Sequence, residues 1–293
     1  MDLISKIKSI TNEKNIYINE PMSKHTTFKT GGPADIFVVP ETKQELLALL
    51  KLDEKKTIIG NGSNLLVRDG GIRGIVIKVA TKNYEIQDDI IIADAGCSIV
   101  KLSNIAYQNS LSGLEFACGI PGTLGGALVM NAGAYGGEIG NLVIETEATD
   151  EQGNVFTITD HEFGYRSSIF QRKNYVILSS KLKLIHGDKE QIKMQMDSNM
   201  QSRKEKQPID KPSAGSTFKR PKDHFAAKLI QDAGLKGYAI GDAMVSDLHS
   251  GFVINKGKAT SKEILALIKH VQEKVNAEYG IMLETEVRII GEE

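Results

Sequence analysis

Glycine gathers in two places in this chain, and the residues around it are ones that could hold an anion. The first is Ile58-Ile59-Gly60-Asn61-Gly62-Ser63-Asn64-Leu65, directly after a predicted strand. Glycines there let backbone N–H groups turn toward an anion, and the Ser and Asn side chains add donors suited to phosphate oxygens. The segment is not a dinucleotide fingerprint, because Leu65 stands where GxGxxG needs its third glycine, and no Gly-Lys-Ser/Thr follows to make a Walker loop. A plain tight turn uses the same residues. The second place is Gly113 to Gly140, which holds nine of the 28 glycines. Its core is Gly119-Ile120-Pro121-Gly122-Thr123-Leu124-Gly125-Gly126, followed by Asn131-Ala132-Gly133-Ala134-Tyr135-Gly136. So many glycines cost chain entropy on folding, which close backbone approach to a ligand would explain; tight helix-to-strand packing is the other explanation. A glycine loop after a strand plus a second glycine-rich loop suggests a large phosphate-bearing cofactor lying along both.

A third feature is basic. Arg203, Lys204, Lys206, Lys211, Lys219, Arg220 and Lys222 are interrupted only by the acids Glu205 and Asp210. This local excess suits a diphosphate or carboxylate, and equally a solvated helix end and linker. It surrounds Ser213-Ala214-Gly215-Ser216-Thr217-Phe218, a Gly-Ser turn of the kind that presents a hydroxyl. The six histidines form no HxxxH or HExxH, and no Cys/His set has zinc spacing, so metal hydrolysis is disfavoured. There is no GxSxG elbow for a serine nucleophile.

The elements that would position these residues read as an α+β or α/β block followed by a smaller one. Helical spacing marks Asp2 to Lys14, Gln44 to Leu52 and Ser98 to Asn109. Strands are expected at Thr57 to Ile59, Ile75 to Val79, Ile90 to Ala93 and Tyr175 to Ile185, with a hairpin of Val143 to Thr149 and Asn154 to Thr159 around Asp150 to Gly153. A basic helix, Lys189 to Lys206, runs into a segment with Pro208 and Pro212, the best domain boundary in the chain. Beyond it come helix Phe225 to Ala233, strand Gly251 to Ile254, helix Ser261 to Tyr279 and a last strand, Leu283 to Ile290. At 293 residues two domains are expected, and 41% hydrophobic with 25% charged residues is a soluble globular composition. The net charge of -1 leaves no global field to recruit nucleic acid or an acidic membrane. Phe116 to Gly137 carries no charge, but its seven glycines and Pro121 rule out a lipid-exposed helix. The charged start, Met1 to Ile10, has no secretory h-region, which points to the cytoplasm; two cysteines without a CxxC pair fit a reducing compartment.

Further motifs complete a pattern: His25-Thr26-Thr27-Phe28, Gly31-Gly32-Pro33-Ala34, Tyr165-Arg166-Ser167-Ser168-Ile169-Phe170, Ala214-Gly215-Ser216-Thr217-Phe218-Lys219 and Leu283-Glu284-Thr285-Glu286-Val287-Arg288. With the two glycine segments, in this order, the sequence resembles the bacterial UDP-N-acetylenolpyruvoylglucosamine reductase family (UDP-N-acetylmuramate dehydrogenases) of peptidoglycan precursor synthesis. Its length resembles the shorter class, without the tyrosine-bearing loop. The resemblance implies an α+β fold with a PCMH-type (vanillyl-alcohol-oxidase-like) FAD-binding domain and a smaller substrate-binding domain. That places an N-terminal helix at 1–20, the FAD domain at 21–206 and the substrate domain at 207–293.

The resemblance further implies non-covalent FAD, reduced by NADPH, which in turn reduces the enolpyruvyl ether of UDP-N-acetylglucosamine enolpyruvate in a monomeric enzyme. Gly60, Asn61, Gly62, Ser63, Asn64 and Leu65, with Gly119, Ile120, Pro121, Gly122 and Gly126, would hold the cofactor. Arg166, Ser216 and Glu286 would be catalytic, and Tyr165, Lys206, Lys219 and Arg220 would meet the substrate. Family members often carry Asn where Arg220 stands. The chemistry is consistent with these roles. Hydride addition to the methylene carbon leaves charge delocalised into the neighbouring carboxylate, which the permanent charge and fixed donors of Arg166 suit. Glu286 helps only when protonated or through a water, since a second anion would repel the first. The carbon left behind is strongly basic, so the weak acid Ser216 suffices to protonate it, and Lys219 would ease the hydroxyl's charge loss. Two other functions share parts of this pattern: another PCMH-type flavin oxidoreductase, such as a sugar or lactone oxidase, and a non-catalytic nucleotide-sugar sensor. The Gly-Ser-Thr-Phe-Lys and Glu286 motifs do not belong to the first, and retention of Arg166, Ser216 and Glu286 together speaks against the second.

Overall fold

The computed structural model describes residues 2–293, which fold as two compact units interleaved along the sequence. The first comprises residues 2–17, 37–61 and 75–202, and the second residues 18–36, 62–74 and 203–293. Residues 21–36 and 62–74, placed by the sequence in the FAD domain, thus fold with the C-terminal segment, together with 18–20, placed in the N-terminal helix. The reason is hydrogen bonding over a long sequence separation: Leu65–Val67 pairs in parallel with Arg288–Ile290, a partnership that leaves no compositional mark near Pro208.

The first unit is built on a five-stranded antiparallel sheet in the order Val155–Ile158, Val143–Thr149, Val176–Lys183, Ile90–Asp94, Tyr84–Gln87. The predicted hairpin is its edge, with Thr146 opposite Ile158 and Thr149 opposite Val155. Alternating burial along Ile90–Asp94 sends Ile91 and Ala93 inward. A polar trio lies within this unit: Thr146 Oγ1 meets Ser180 Oγ and His161 Nε2, each at 2.9 Å. Lys56–Ile59 runs parallel to the second half of Ile72–Lys78, from Lys56 opposite Ile75 to Ile59 opposite Lys78. Helix Lys43–Leu50 is capped by Thr42, and Ile99–Gln108 by Ser98. The first helix is shorter than predicted, Leu3–Ile10, because Thr11 is extended and Asn12 starts a separate turn. Two helices have no counterpart in the sequence reading: the short Ile169–Lys173, and Leu124–Met130, whose two glycines lower its intrinsic propensity although Thr123 caps it.

The second unit packs around helix Ser261–Tyr279, where the Thr260–Glu263 capping box and the Asp69 carboxylate, which accepts from the N–H groups of Ser261 and Lys262, satisfy the first turn. Its core joins Phe28, Leu66, Phe218, Ile264, Leu267 and Val271. The predicted final strand is split. Only Arg288–Ile290 is a strand, while Thr285 makes a single bridge to Phe218. Asn255 is 1% exposed and fully used, donating to the Phe28 carbonyl and accepting from the N–H groups of Gly257 and Ala259. Among the described residues no helix is long and apolar enough to cross a membrane, and no disulfide joins Cys97 to Cys118.

Asn255→Ala strands two buried backbone groups, the Phe28 carbonyl and the Ala259 N–H, while exposed Gly257 can rehydrate, so a loss of roughly 2 kcal/mol in unfolding free energy is expected. Denaturant unfolding measures it; an unchanged midpoint would show that the site can rehydrate.

Candidate functional site

In the first unit, the second glycine segment is laced onto the start of helix Ile99–Gln108. Ile99 N donates to Gly122 O at 3.1 Å, Leu124 N to Cys97 O and Gly125 N to Ala95 O at 2.8 Å each, and Ser98 bridges Thr123. Gly119 and Ile120 are half-buried, Pro121 is exposed, Gly122 is buried, and Gly126 is exposed in the first turn of Leu124–Met130. Gly60 packs against this segment: a Cβ there would fall 2.5 Å from Thr123 Oγ1. Asn61, Ser98, Lys82 and Lys101 then border a cavity of about 230 Å³, together with Gly96 and Cys97. The cavity therefore touches the first loop through Asn61 and adjoins the second through Ser98. Lys82 and Lys101 escaped the sequence reading because neither lies in a glycine-rich or basic run.

The Cys97 thiol on this cavity is no nucleophile. Burial, helped by the Asp94 charge, pushes it up to about 11, so it stays protonated near neutral pH.

Arg166 belongs to the same unit and sits in a tight turn in which Gly164 and Ser167 exchange backbone hydrogen bonds at 3.1 Å. Its φ is 53°, in the left-handed region. The guanidinium donates through Nη2 to Gly133 O at 3.3 Å and lies 5.4 Å from the ring of Tyr165, which is 56% exposed. Buried Asn131, closing helix Leu124–Met130 with φ 41°, donates to Gly164 O and accepts from Gly140 N. The Asn131 to Gly136 segment and the Tyr165-Arg166 pair, far apart in sequence, are therefore one local structure.

In the second unit, Gly62 has φ 64°, and a Cβ on it would lie 2.1 Å from the His25 carbonyl oxygen. This glycine is required by the protein's own backbone, independently of any ligand. Its carbonyl accepts from Thr27 N, and the Thr27 hydroxyl beside it is buried without a hydrogen-bond partner. No sequence signal marks Thr27, because its orphaned hydroxyl appears only on folding. Ser63 is half-buried. Asn64 donates to Glu286 O at 3.1 Å and accepts from Arg288 N at 2.9 Å, while Leu65 opens a strand.

Ser216, half-buried, precedes a segment held against the C-terminal motif. Glu286 N donates to Thr217 O and Lys219 N to Glu284 O, both at 2.8 Å. The second unit thus brings the end of the first glycine loop, the Gly-Ser turn and half-buried Glu286 into one backbone network. Lys219 Nζ pairs with Glu284 at 3.1 Å, an exposed contact worth about 0–1 kcal/mol that an arriving anion can replace. The Arg220 guanidinium lies 4.0 Å from the Phe225 ring. Lys206 is exposed at the end of helix Lys189–Lys206.

In the first unit, the ammonium groups of Lys82 and Lys101 and the Asn61 amide around the cavity form a donor set that suits a phosphate-bearing cofactor.

Comparison with known proteins finds two family matches, the first of which runs through residues 62–74 of the second unit. Residues 34–159 match the FAD binding domain family, and residues 207–290 match the C-terminal domain of UDP-N-acetylenolpyruvoylglucosamine reductase. The chain is 49% identical over 297 residues to the reductase of that name from Caldanaerobacter subterraneus subsp. tengcongensis, covering 99% of this chain and 98% of the relative. It is 48% identical over 299 residues to the one from Clostridium botulinum (strain Hall), covering 100% and 98%. A crystal structure of the Thermus caldophilus reductase superposes with a TM-score of 0.83 at 34% identity, over 94% of this chain and 97% of that one. A glucose dehydrogenase, Phl p 4.0202, shares the fold alone, with a TM-score of 0.52 at 12% identity over 64% and 45% of the two chains.

Gly62→Ala should lower the melting temperature, because its Cβ meets a carbonyl oxygen in a left-handed conformation. Gly126→Ala, whose Cβ would have only Thr123 Oγ1 nearby at 3.4 Å, should leave it equal or higher. Thermal unfolding of both variants separates them; equal stability would contradict the assignment.

Proposed function

The chain belongs to the UDP-N-acetylenolpyruvoylglucosamine reductase family, and we propose that it works as a monomer in the cytoplasm, taking its electrons from NADPH. It is an FAD-dependent oxidoreductase that reduces UDP-N-acetylglucosamine enolpyruvate to UDP-N-acetylmuramate in peptidoglycan precursor synthesis. The observation that carries the reading of its residues is the hydrogen bond from Glu286 N to Thr217 O, which sets the Ser216 segment beside Glu286.

FAD, when bound, would supply two-electron hydride chemistry between the nicotinamide and the substrate. Asn61, Lys82 and Lys101 of the first unit are the groups we assign to holding it, with the backbone of Gly60 and of Gly119 to Gly122 and with Gly126 as a spacer. As hydride reaches the methylene carbon, negative charge grows on the adjacent carbon and its carboxylate. Arg166, with permanent charge and donors in a fixed fork, stabilises that charge. Glu286 contributes as a neutral acid or through a water, since a second carboxylate charge would oppose the first. Ser216 Oγ delivers the proton to the carbon, and the Lys219 ammonium, released from Glu284, offsets the charge left on the oxygen. Tyr165, Lys206 and Arg220 contact the nucleotide part of the substrate.

The purified protein should be yellow, bleach with NADPH and regain its colour with the enolpyruvyl substrate. Ser216→Ala separates the two half-reactions. Bleaching should proceed at near wild-type rate while reoxidation slows by roughly 10²-fold to 10⁴-fold, the range for a lost general acid. Rapid-mixing absorbance measures both. Wild-type reoxidation in this variant would reduce Ser216 to a turn residue, and failed bleaching would make it a pocket-shaping one.

A further inference from the structure

We infer that Gln171 is a positioning residue that aims Arg166, by clamping its strained peptide to the end of the glycine-rich helix. The inference rests on the reading of Arg166 as the group that faces the growing carboxylate charge. Left-handed backbone costs a non-glycine residue on the order of 1 kcal/mol, so Arg166 holds φ 53° only where its surroundings fix it. The Gln171 amide supplies that restraint. Its Nε2 donates to Arg166 O at 3.0 Å and to Val129 O at 2.7 Å, matching the two hydrogens of one amide to two carbonyl oxygens. Val129 lies in the last turn of helix Leu124–Met130, where carbonyls lack partners within the helix.

Ser168 Oγ also donates to Val129 O, at 2.8 Å, and Asn131 donates to Gly164 O. The turn is therefore pinned at three points by side chains; Gln171 takes the carbonyl of the Arg166 peptide group, whose Ser167 N–H already donates to Gly164 O. Fixing that carbonyl fixes the torsion after the Arg166 Cα and hence the direction in which its side chain leaves the backbone. The guanidinium then reaches Gly133 O, in the segment that follows the same helix. Donation is essential here: a glutamate would turn oxygen toward two carbonyl oxygens.

The test is a double-mutant cycle on the FAD-loaded protein. Gln171→Ala and Gln171→Glu should each lower kcat for enolpyruvyl reduction by up to roughly 10²-fold, the scale of a misplaced catalytic group, with bound flavin retained and KM within roughly threefold. In an Arg166→Ala background, Gln171→Ala should cost almost nothing further, because a group that acts through Arg166 has nothing left to aim. Ser168→Ala, which loses only the Val129 bond, should lower the melting temperature while keeping kcat. If the two losses multiply in the double variant, or Gln171→Glu keeps wild-type kcat, Gln171 is a packing residue and the inference falls. If Gln171→Ala does not fold, Gln171→Met keeps the volume and runs the same cycle. Failure of the unaltered protein to reduce the enolpyruvyl substrate would instead overturn the functional reading.

Discussion

Thr217 is held by its N–H, its carbonyl and its hydroxyl at once. The N–H donates to Gly251 O at 2.8 Å, the carbonyl accepts from Glu286 N at 2.8 Å, and Oγ1 accepts from Val253 N at 2.9 Å. With 1% exposure, none of these groups has water as an alternative partner, so each bond would be expensive to leave unmade. Ser216 and Glu286 take their places from this one residue. Two segments far apart in sequence keep a fixed mutual position only through a point common to both. A buried residue bonded in three directions provides such a reference point.

The first unit solves a related problem by a different device. Arg166 sits in a turn whose left-handed backbone conformation an arginine does not favour. The cost is met by side-chain amides and a hydroxyl, Asn131, Ser168 and Gln171, all directed at carbonyl oxygens. Short polar side chains at the end of a glycine-rich helix thus do more than stabilise it. They convert orphan carbonyls into anchor points for the arginine turn.

Charge is used sparingly. The chain is near neutrality, and many of its lysines sit in exposed pairs such as Lys219–Glu284 that contribute little to stability and open easily. Two lysines stand apart, Lys82 and Lys101, which border the cavity next to Asn61. Burial and the Asp94 charge keep the Cys97 thiol on that cavity protonated near neutral pH.

Several features were legible in the sequence because they depend on neighbours in the chain. The hairpin around Asp150 to Gly153, the long helices Lys189–Lys206 and Ser261–Tyr279, and the glycine turn at Gly62 follow from periodicity, capping and turn chemistry. The order of the motifs also pointed to the family, since those residue types recur together for one chemistry. Other features depend on partners distant in sequence. The return of residues 18–36 and 62–74 to the C-terminal unit, the splitting of the last strand between Phe218 and Leu65–Val67, and the Asn64 bond to Glu286 are of this kind. So are the orphaned hydroxyl of Thr27 and the clamp on Arg166. A local pattern reports what a segment prefers, whereas a buried donor is committed only when folding brings it an acceptor and removes the water that would otherwise serve.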